Sequence, residues 1–397
     1  MLIQQTMATV AKTAVPVLFP AIALDLGIAS ELVLGYTWLY ACVGMVVMAG
    51  CGSFIIRYGA IRISQMGGLV MAAGLLLAAT ATDFLWLGIP ALMVGAVLIS
   101  AGSTSATPAS SQILARYALP RVAPLVFSIK QTGVPAGIAI AAGLVLPLSV
   151  WIGWQWAAVV VAGLSALIVL GLAPCRAAFD AERKPEQRFA FGDLRENIYT
   201  VLGEPALRAM AMAAFAFVGL QSIFTNFTVV YLYEELNYTP VTAGAILSLA
   251  TLIAVPARIF WGVVASTLVP PRLLLGVLAL FMAGGAATMG AFSAEWSELE
   301  VTLVALVISA SALSWHGVLL AEVARVAPEG EVGRITGGVM AFGSVGQIAY
   351  PFIFGTVYFL LGYLAAYIAI GMPVLAVAFV LLRQGRRRAR TRPGGGD

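Results

Sequence analysis

The chain has 397 residues, of which 61% are hydrophobic and only 10% charged, and its formal net charge is +4. A soluble domain carries about 25% charged residues, so this composition excludes an ordinary water-facing surface. The positive excess sits in short loops and in the C-terminal tail rather than in one basic patch, which argues against nucleic acid as a partner.

Apolar runs of about 20 residues, each long enough to cross a ~30 Å hydrocarbon core, recur along the whole length. In chain order they predict spans at roughly 5–26, 34–56, 63–82, 85–114, 122–148, 152–174, 207–233, 241–266, 272–292, 300–324, 334–360 and 363–382. The first stretch, "MLIQQTMATVAKTAVPVLFPAIAL", lacks the basic start of a signal peptide and precedes eleven more spans, so it reads as the first helix. The longest break, 175–206, contains "RAAFDAERKPEQRFAFGDLRENIYTVLGEPA", with an amphipathic piece near 191–202. It divides the chain into an N-terminal bundle (1–174), a cytoplasmic linker (175–206), a C-terminal bundle (207–383) and a basic tail (384–397). The expected fold is an all-α membrane protein of twelve transmembrane helices in two six-helix bundles. Cys42, Cys51 and Cys175 show no paired spacing, so neither a disulfide nor a metal site is expected.

Cation placement predicts direction. With the N-terminus in the cytoplasm, the inner segments hold nineteen Arg and Lys, including Arg57, Arg62, Arg116, Arg121, Arg272, Arg325, Arg334, six from Arg176 to Arg208 and six from Arg383 onward. The outer loops hold none, only acids such as Glu31, Asp83, Glu234, Glu235, Glu295 and Glu298. The positive-inside rule then places both termini in the cytoplasm. Three cations are left over inside spans: Lys12, Lys130 and Arg258.

Shifted by 210 residues, the chain matches itself. Asp25 meets Glu235, Gly52 meets Gly262, Arg62 meets Arg272, Gly74 meets Gly284, Trp86 meets Trp296 and Gly133 meets Gly343. One offset held across five spans points to two bundles related by an axis along the membrane normal, with a site expected between them near the midplane.

On these residues the chain resembles the major facilitator superfamily over essentially its whole length. The segment "GSFIIRYGAIR" (52–62) is similar to that family's signature G-x-x-x-D-R-x-G-R-x: Gly52, Arg57 and Gly59 match, Arg62 supplies a nearby cation, and Ile56 stands in place of the aspartate. "GVPAGIAIAAG" (133–143) resembles the glycine- and proline-rich motif of exchangers, in which Gly133 and Gly137 permit close helix approach and Pro135 bends the span. Packing alone accounts for these glycines equally well. "ARIFWGVVASTLVPPR" (257–272) is similar to the eighth span of monocarboxylate transporters, which implies a carboxylate-binding role for Arg258; Ala254 replaces the acid one turn earlier. Bacterial organic-anion and cyanate-type permeases are equally reasonable relatives. The resemblance implies alternating access, a monomer, and a bacterial inner-membrane location.

An ionisable group at mid-depth costs about 2.5–3.5 kcal/mol on insertion scales. Counting about 1.5 Å per residue from the span ends puts Lys12, Lys130, Arg258 and His316 roughly 10–13 Å from the cytoplasmic edge, at one common level. No acid is expected there, because Asp25 lies at the outer end of its span and Glu322 pairs with Arg325 as an i,i+3 neighbour. Structural roles stand beside the functional ones: Lys12 is long enough to snorkel, Arg258 to hold a helix-end carbonyl, and His316 to pack. Gln131, Gln221, Asn226, Gln347 and Tyr350 are neutral candidate donors, and Trp315 a candidate wall.

The expected function is secondary transport of a small organic anion, a monocarboxylate first, by proton symport through Lys12, Lys130 or His316 or by exchange. The alternative is export of neutral or lipophilic drug-like compounds. Enzymatic activity is not expected, since no nucleophile–base set, metal cluster, phosphate loop or ATP-binding motif stands out, and no cofactor is implied. Gly52, Arg57, Gly59, Arg62, Gly133, Pro135, Gly137, Glu322 and Arg325 are the candidate gating and structural residues. Partners are expected to be the anion, protons and the lipid bilayer.

Overall fold

A computed structural model describes residues 1–29, 32–81, 85–181, 183–186, 191–293 and 295–391. Glu31, Asp83, Arg188 and the end of the basic tail lie outside the described residues, as does the side chain of Trp86.

The described chain is helical almost throughout. The first three spans are α1 (Leu2–Leu26), α2 (Leu32–Tyr58) and α3 (Ala60–Ala79). The fourth is α4 (Leu85–Thr104) continued by α5 (Ala106–Tyr117). The fifth is built from α6 (Ala123–Gln131), α7 (Gly133–Ile140), a π-helical turn (Ala141–Val145) and α8 (Leu146–Ile152), and the sixth is α9 (Trp154–Gly171). A short 3-10 turn, α10 (Arg176–Phe179) and α11 (Phe191–Gly203) follow, α11 standing where the amphipathic piece was expected. Then come α12 (Pro205–Glu234), α13 (Pro240–Thr267), α14 (Pro271–Gly290), α15 (Glu298–Ala312), α16 (His316–Val326) and α17 (Val332–Thr391). Eleven helices among the described residues are long and apolar enough to span a bilayer. The last contains a turn at Gly362 (φ 79°, ψ 179°), which divides it in two and brings the spans to the expected twelve.

Local chemistry explains the ends. Proline at the first position starts α12, α13 and α14, where the missing N–H has no helical partner to lose. Ser297 and Glu300 form a reciprocal capping box at the start of α15, and Thr239 caps α13 by accepting from the Thr242 N–H. Left-handed Gly27 ends α1, and Gly153 at φ 84° separates α8 from α9.

Prolines also set the internal breaks. Pro108 cannot donate to the Thr104 carbonyl four residues back, and the fourth span breaks at Ser105. Pro135 likewise cannot donate to the Gln131 carbonyl, and the fifth span breaks at Thr132. The tenth span breaks over 313–315, so that Ser105 and Trp315, one repeat apart, mark the same interruption in each half.

Contacts divide the chain into two compact units. The first comprises Met1–Tyr117, Lys130–Thr200 and Ala327–Ala341; the second comprises Ala118–Ile129, Val201–Val326 and the chain from Phe342 onward. The two short pieces that each unit takes from the other half of the sequence, 118–129 and 327–341, are themselves one repeat apart. In the first unit α3 packs along α4 and α9, and α1 along α7. In the second, α15 packs along α13 and α14. Small residues bring the backbones together: a methyl at Gly102 would lie 2.1 Å from the Gly67 carbonyl, and one at Gly95 would lie 2.9 Å from that of Gly74.

Candidate functional site

In the first unit, α7 rests directly on the start of α1. A Cβ at Gly133 would lie 2.9 Å from Thr6 Oγ1 and 3.1 Å from the Leu2 carbonyl, and one at Gly137 would lie 2.6 Å from the Thr6 carbonyl. Glycine is therefore required by backbone approach at both positions. This register corrects the common level expected for the cations. Lys130, one turn before Gly133, stands beside the first residues of α1, whereas Lys12 is about three turns further along, roughly 15 Å away. In agreement, burial first and then the Lys130 ammonium hold the Met1 amine below its ordinary range. Counting from span ends failed because α1 and the fifth span begin at different depths.

Lys130 is 3% exposed and donates from Nζ to Gln131 Oε1 at 3.2 Å, a neutral acceptor. Lys12 is exposed, with its ammonium 5.4 Å from the centre of the Tyr40 ring. Tyr40 shares a 2.6 Å hydroxyl hydrogen bond with Ser103, and the Tyr40 carbonyl accepts from Ser100 Oγ at 2.6 Å. Lys12, Tyr40 and Ser103 thus form a polar strip across α1, α2 and α4. Tyr40 and Ser103 went unnoticed in the sequence, because a lone Tyr and a Ser in apolar helices carry no periodic signal. Asp25, the acid of α1, is occupied at the far end of that helix, accepting from Trp154 Nε1 at 2.8 Å and Gln155 Nε2 at 2.9 Å. Among the described residues, neither Lys12 nor Lys130 has an acidic partner.

In the second unit, hydrogen bonds tie α13 to α15 and to the break that follows it. Ser309 donates to the Ala250 carbonyl, Ser314 to that of Ala254 at 3.3 Å, and Trp261 Nε1 to that of Ala310 at 2.7 Å. Arg258, 3% exposed, donates from Nε to the Leu313 carbonyl at 2.8 Å, at the point where α15 ends. Three residues on, His316 stacks on Trp315 with ring centres 3.7 Å apart. Trp315 is fully buried, donates to the Ala312 carbonyl and meets the Phe217 edge at 5.3 Å. Arg258, Trp315 and His316 therefore converge on one helix break.

The neutral candidates divide between surface and seam. Asn226 is exposed on α12. Tyr350 is buried in the notch left by Gly219, where a methyl would strike its ring at 2.3 Å, and its ring meets Phe215 at 5.6 Å. Gln347 lies three residues earlier, half-buried on the same helix, and Gln221 is half-buried on α12. The Tyr350 hydroxyl and Gln221 Oε1 are buried without hydrogen-bond partners among the described residues.

The signature segment has a different electrostatic arrangement from the one its family pattern implies. A Cβ at Gly52 would lie 2.5 Å from Arg334 Cα, so α2 touches the start of α17 there. Ile56 supplies no acid; the Arg334 guanidinium pairs instead with Glu331 and, at 3.5 Å, with Glu196 of α11. Asn197 donates to the Ala49 and Arg334 carbonyls, both at 3.0 Å. Gly59 has φ 95° and lies against Asp180, whose oxygens accept from the Ile61 and Arg62 N–H groups at 2.9 and 3.0 Å. Asp180 thus caps α3 from a distant part of the sequence. Arg57 lies over the Tyr58 ring at 5.3 Å.

Glu322 pairs with Arg325 through two 2.7 Å hydrogen bonds, as expected, and also with Arg272. Arg272, the first residue of its predicted span and counted among the inner cations, is 5% exposed and forms a buried ion pair.

Comparison with known proteins places this geometry. No curated protein sequence matches the chain. Among solved structures, the human organic anion transporter TETRAN is similar with a TM-score of 0.77 and 15% identity, over 96% of this chain and 97% of that one. A bacterial homologue of the iron transporter ferroportin has a TM-score of 0.74 and 15% identity over 97% and 98%. The E. coli fucose:proton symporter has a TM-score of 0.71 and 16% identity over 96% of each chain. At such identities the likeness speaks for the fold. The profile of the Major Facilitator Superfamily matches residues 1–321. The chain is an integral membrane transporter, not an enzyme, and it belongs to the major facilitator superfamily.

Proposed function

We propose that this transporter carries a small organic anion, a monocarboxylate first, across a bacterial inner membrane by alternating access, with proton symport or anion exchange as the driving process. The observation that carries this reading is Lys130, a 3%-exposed ammonium whose hydrogen-bond partner is a neutral amide. Burying a cation without an acid is costly, and a bound carboxylate offsets that cost by supplying the missing charge. Lys12, without an acidic partner among the described residues and set beside the hydroxyls of Tyr40 and Ser103, supplies a second cation on the same unit. In the second unit, Arg258 and His316 lie together at the break in the tenth span. The structural likeness to a protein named as an organic anion transporter agrees with this reading.

A thermal-shift screen of the purified protein tests it. Stabilisation follows RT ln(1 + [L]/Kd), so a series of monocarboxylates should raise Tm in a concentration-dependent way. Lys130→Ala should lose that response. Stabilisation by neutral drug-like compounds alone, with none from carboxylates, would replace this reading with the export alternative. Uptake into proteoliposomes with an imposed pH difference, with and without internal anion, then separates symport from exchange.

A further inference from the structure

The first unit holds an apolar crevice between α2 and α3, floored by α4, that the transport reading does not use. Its volume is about 320 Å³, and its walls include Val46, Gly50, Phe54, Met66, Val70 and Ala101. The crevice exists because α2 and α3, although consecutive, both pack on α4 far more extensively than on each other. Its polar atoms are already engaged: Ser105 Oγ donates to the Gly102 carbonyl at 2.8 Å, and the Cys51 thiol to that of Met48. It opens sideways, since Val46 is 56% and Met66 43% exposed. A Cβ built on Gly50 meets nothing within 4 Å, so the space beside it is open.

Depth and charge say what fits. From Phe54 to Val46 the crevice runs about 12 Å along the helix axis, beginning one turn inside the α2–α3 connection. In a membrane transporter that range lies in the hydrocarbon of one leaflet. At the shallow end stand two cations. Exposed Arg62 is one turn before Met66 on the same face of α3. Arg57 follows Phe54 on α2, its guanidinium over the Tyr58 ring, which in turn stacks on Phe54 at 6.3 Å. One acid near the start of α3, Asp180, is 6% exposed, and both its oxygens are bound to the N–H groups that begin that helix.

We propose that this crevice is a binding site for one acyl chain of an anionic phospholipid, whose phosphate is met by exposed Arg62. The apolar walls accept the chain, and the Arg62 guanidinium selects the charge of the headgroup. The inference does not depend on the identity of the transported solute.

The test uses the full-length protein, delipidated in detergent and titrated with phosphatidylglycerol or with phosphatidylcholine of the same acyl chains. Native mass spectrometry counts the bound lipid, and thermal unfolding reports its effect. Wild type should retain one tightly bound phosphatidylglycerol, preferred over phosphatidylcholine about fivefold. Gly50→Leu, and independently Ala101→Leu should the first fold poorly, fills the crevice and should lose that lipid while keeping any solute-induced Tm shift. Arg62→Gln should keep the lipid but reduce the headgroup preference several-fold. Equal retention by wild type and both crevice-filling variants would overturn the acyl-chain site. Equal binding of the two lipids by wild type would overturn the role of Arg62.

Discussion

Arg258 reaches from α13 to the carbonyl of Leu313, 2.8 Å from its Nε, at the residue where α15 gives way. The bond satisfies one of the carbonyls a helix end leaves open and sets the position of Trp315 and His316 immediately beyond. A charged donor to a buried carbonyl contributes about 1.5–3 kcal/mol. Arg258→Lys keeps the charge but not the planar fork. It should lower Tm and the transport rate together, read by thermal unfolding and proteoliposome uptake; unchanged values for both would mean that the bond to Leu313 positions nothing.

Lys130→Met should separate binding from stability. Removing a buried ammonium whose hydrogen-bond partner is neutral relieves a desolvation cost, so the empty protein should melt no lower than wild type. Loss of one member of a buried charge pair costs about 2–5 kcal/mol of binding, so carboxylate affinity should fall on the order of 10²-fold or more. A ligand titration by calorimetry reads the affinity. A lower Tm with unchanged affinity would assign Lys130 a purely structural role.

Gly59 and Asp180 form one device. Alanine at 59 has to adopt φ 95° and to place a methyl 2.2 Å from the Asp180 carboxyl carbon, combining backbone strain of about 1–3 kcal/mol with a clash. Asp180→Ala removes a cap from α3 and should cost about 0.5–2 kcal/mol. The double variant should be less destabilised than the sum of the two, because the clash disappears with the carboxylate. Thermal unfolding of the three proteins checks this coupling.

Glu322 is shared by buried Arg272 and half-exposed Arg325. Glu322→Gln should destabilise by about 3–5 kcal/mol, since it leaves the Arg272 charge buried without its acid. Changing both partners, Glu322→Leu with Arg272→Met, should recover most of that loss. Expression level and unfolding temperature in detergent report both outcomes.

The sequence by itself determined the membrane class, the spans, the 210-residue repeat and the family, because these follow from composition and from residues near one another along the chain. Span length is set by bilayer thickness, and Pro135 announces a bend in its span wherever the rest of the chain lies. Tertiary structure alone decided what depends on register between helices. Lys12 and Lys130 look level when counted from span ends, but the contact of Gly133 and Gly137 with Leu2, Thr6 and Thr9 staggers them by roughly 15 Å. Arg272, counted among the inner cations, is buried against Glu322, fifty residues away. Asp180 caps α3 from 119 residues further along the chain, and Glu196 and Glu331 supply the charge that Ile56 cannot. An apolar pattern repeating every turn states which face of a helix is buried, but not how far that helix slides against its neighbour. The partner of each buried charge is fixed by that slide.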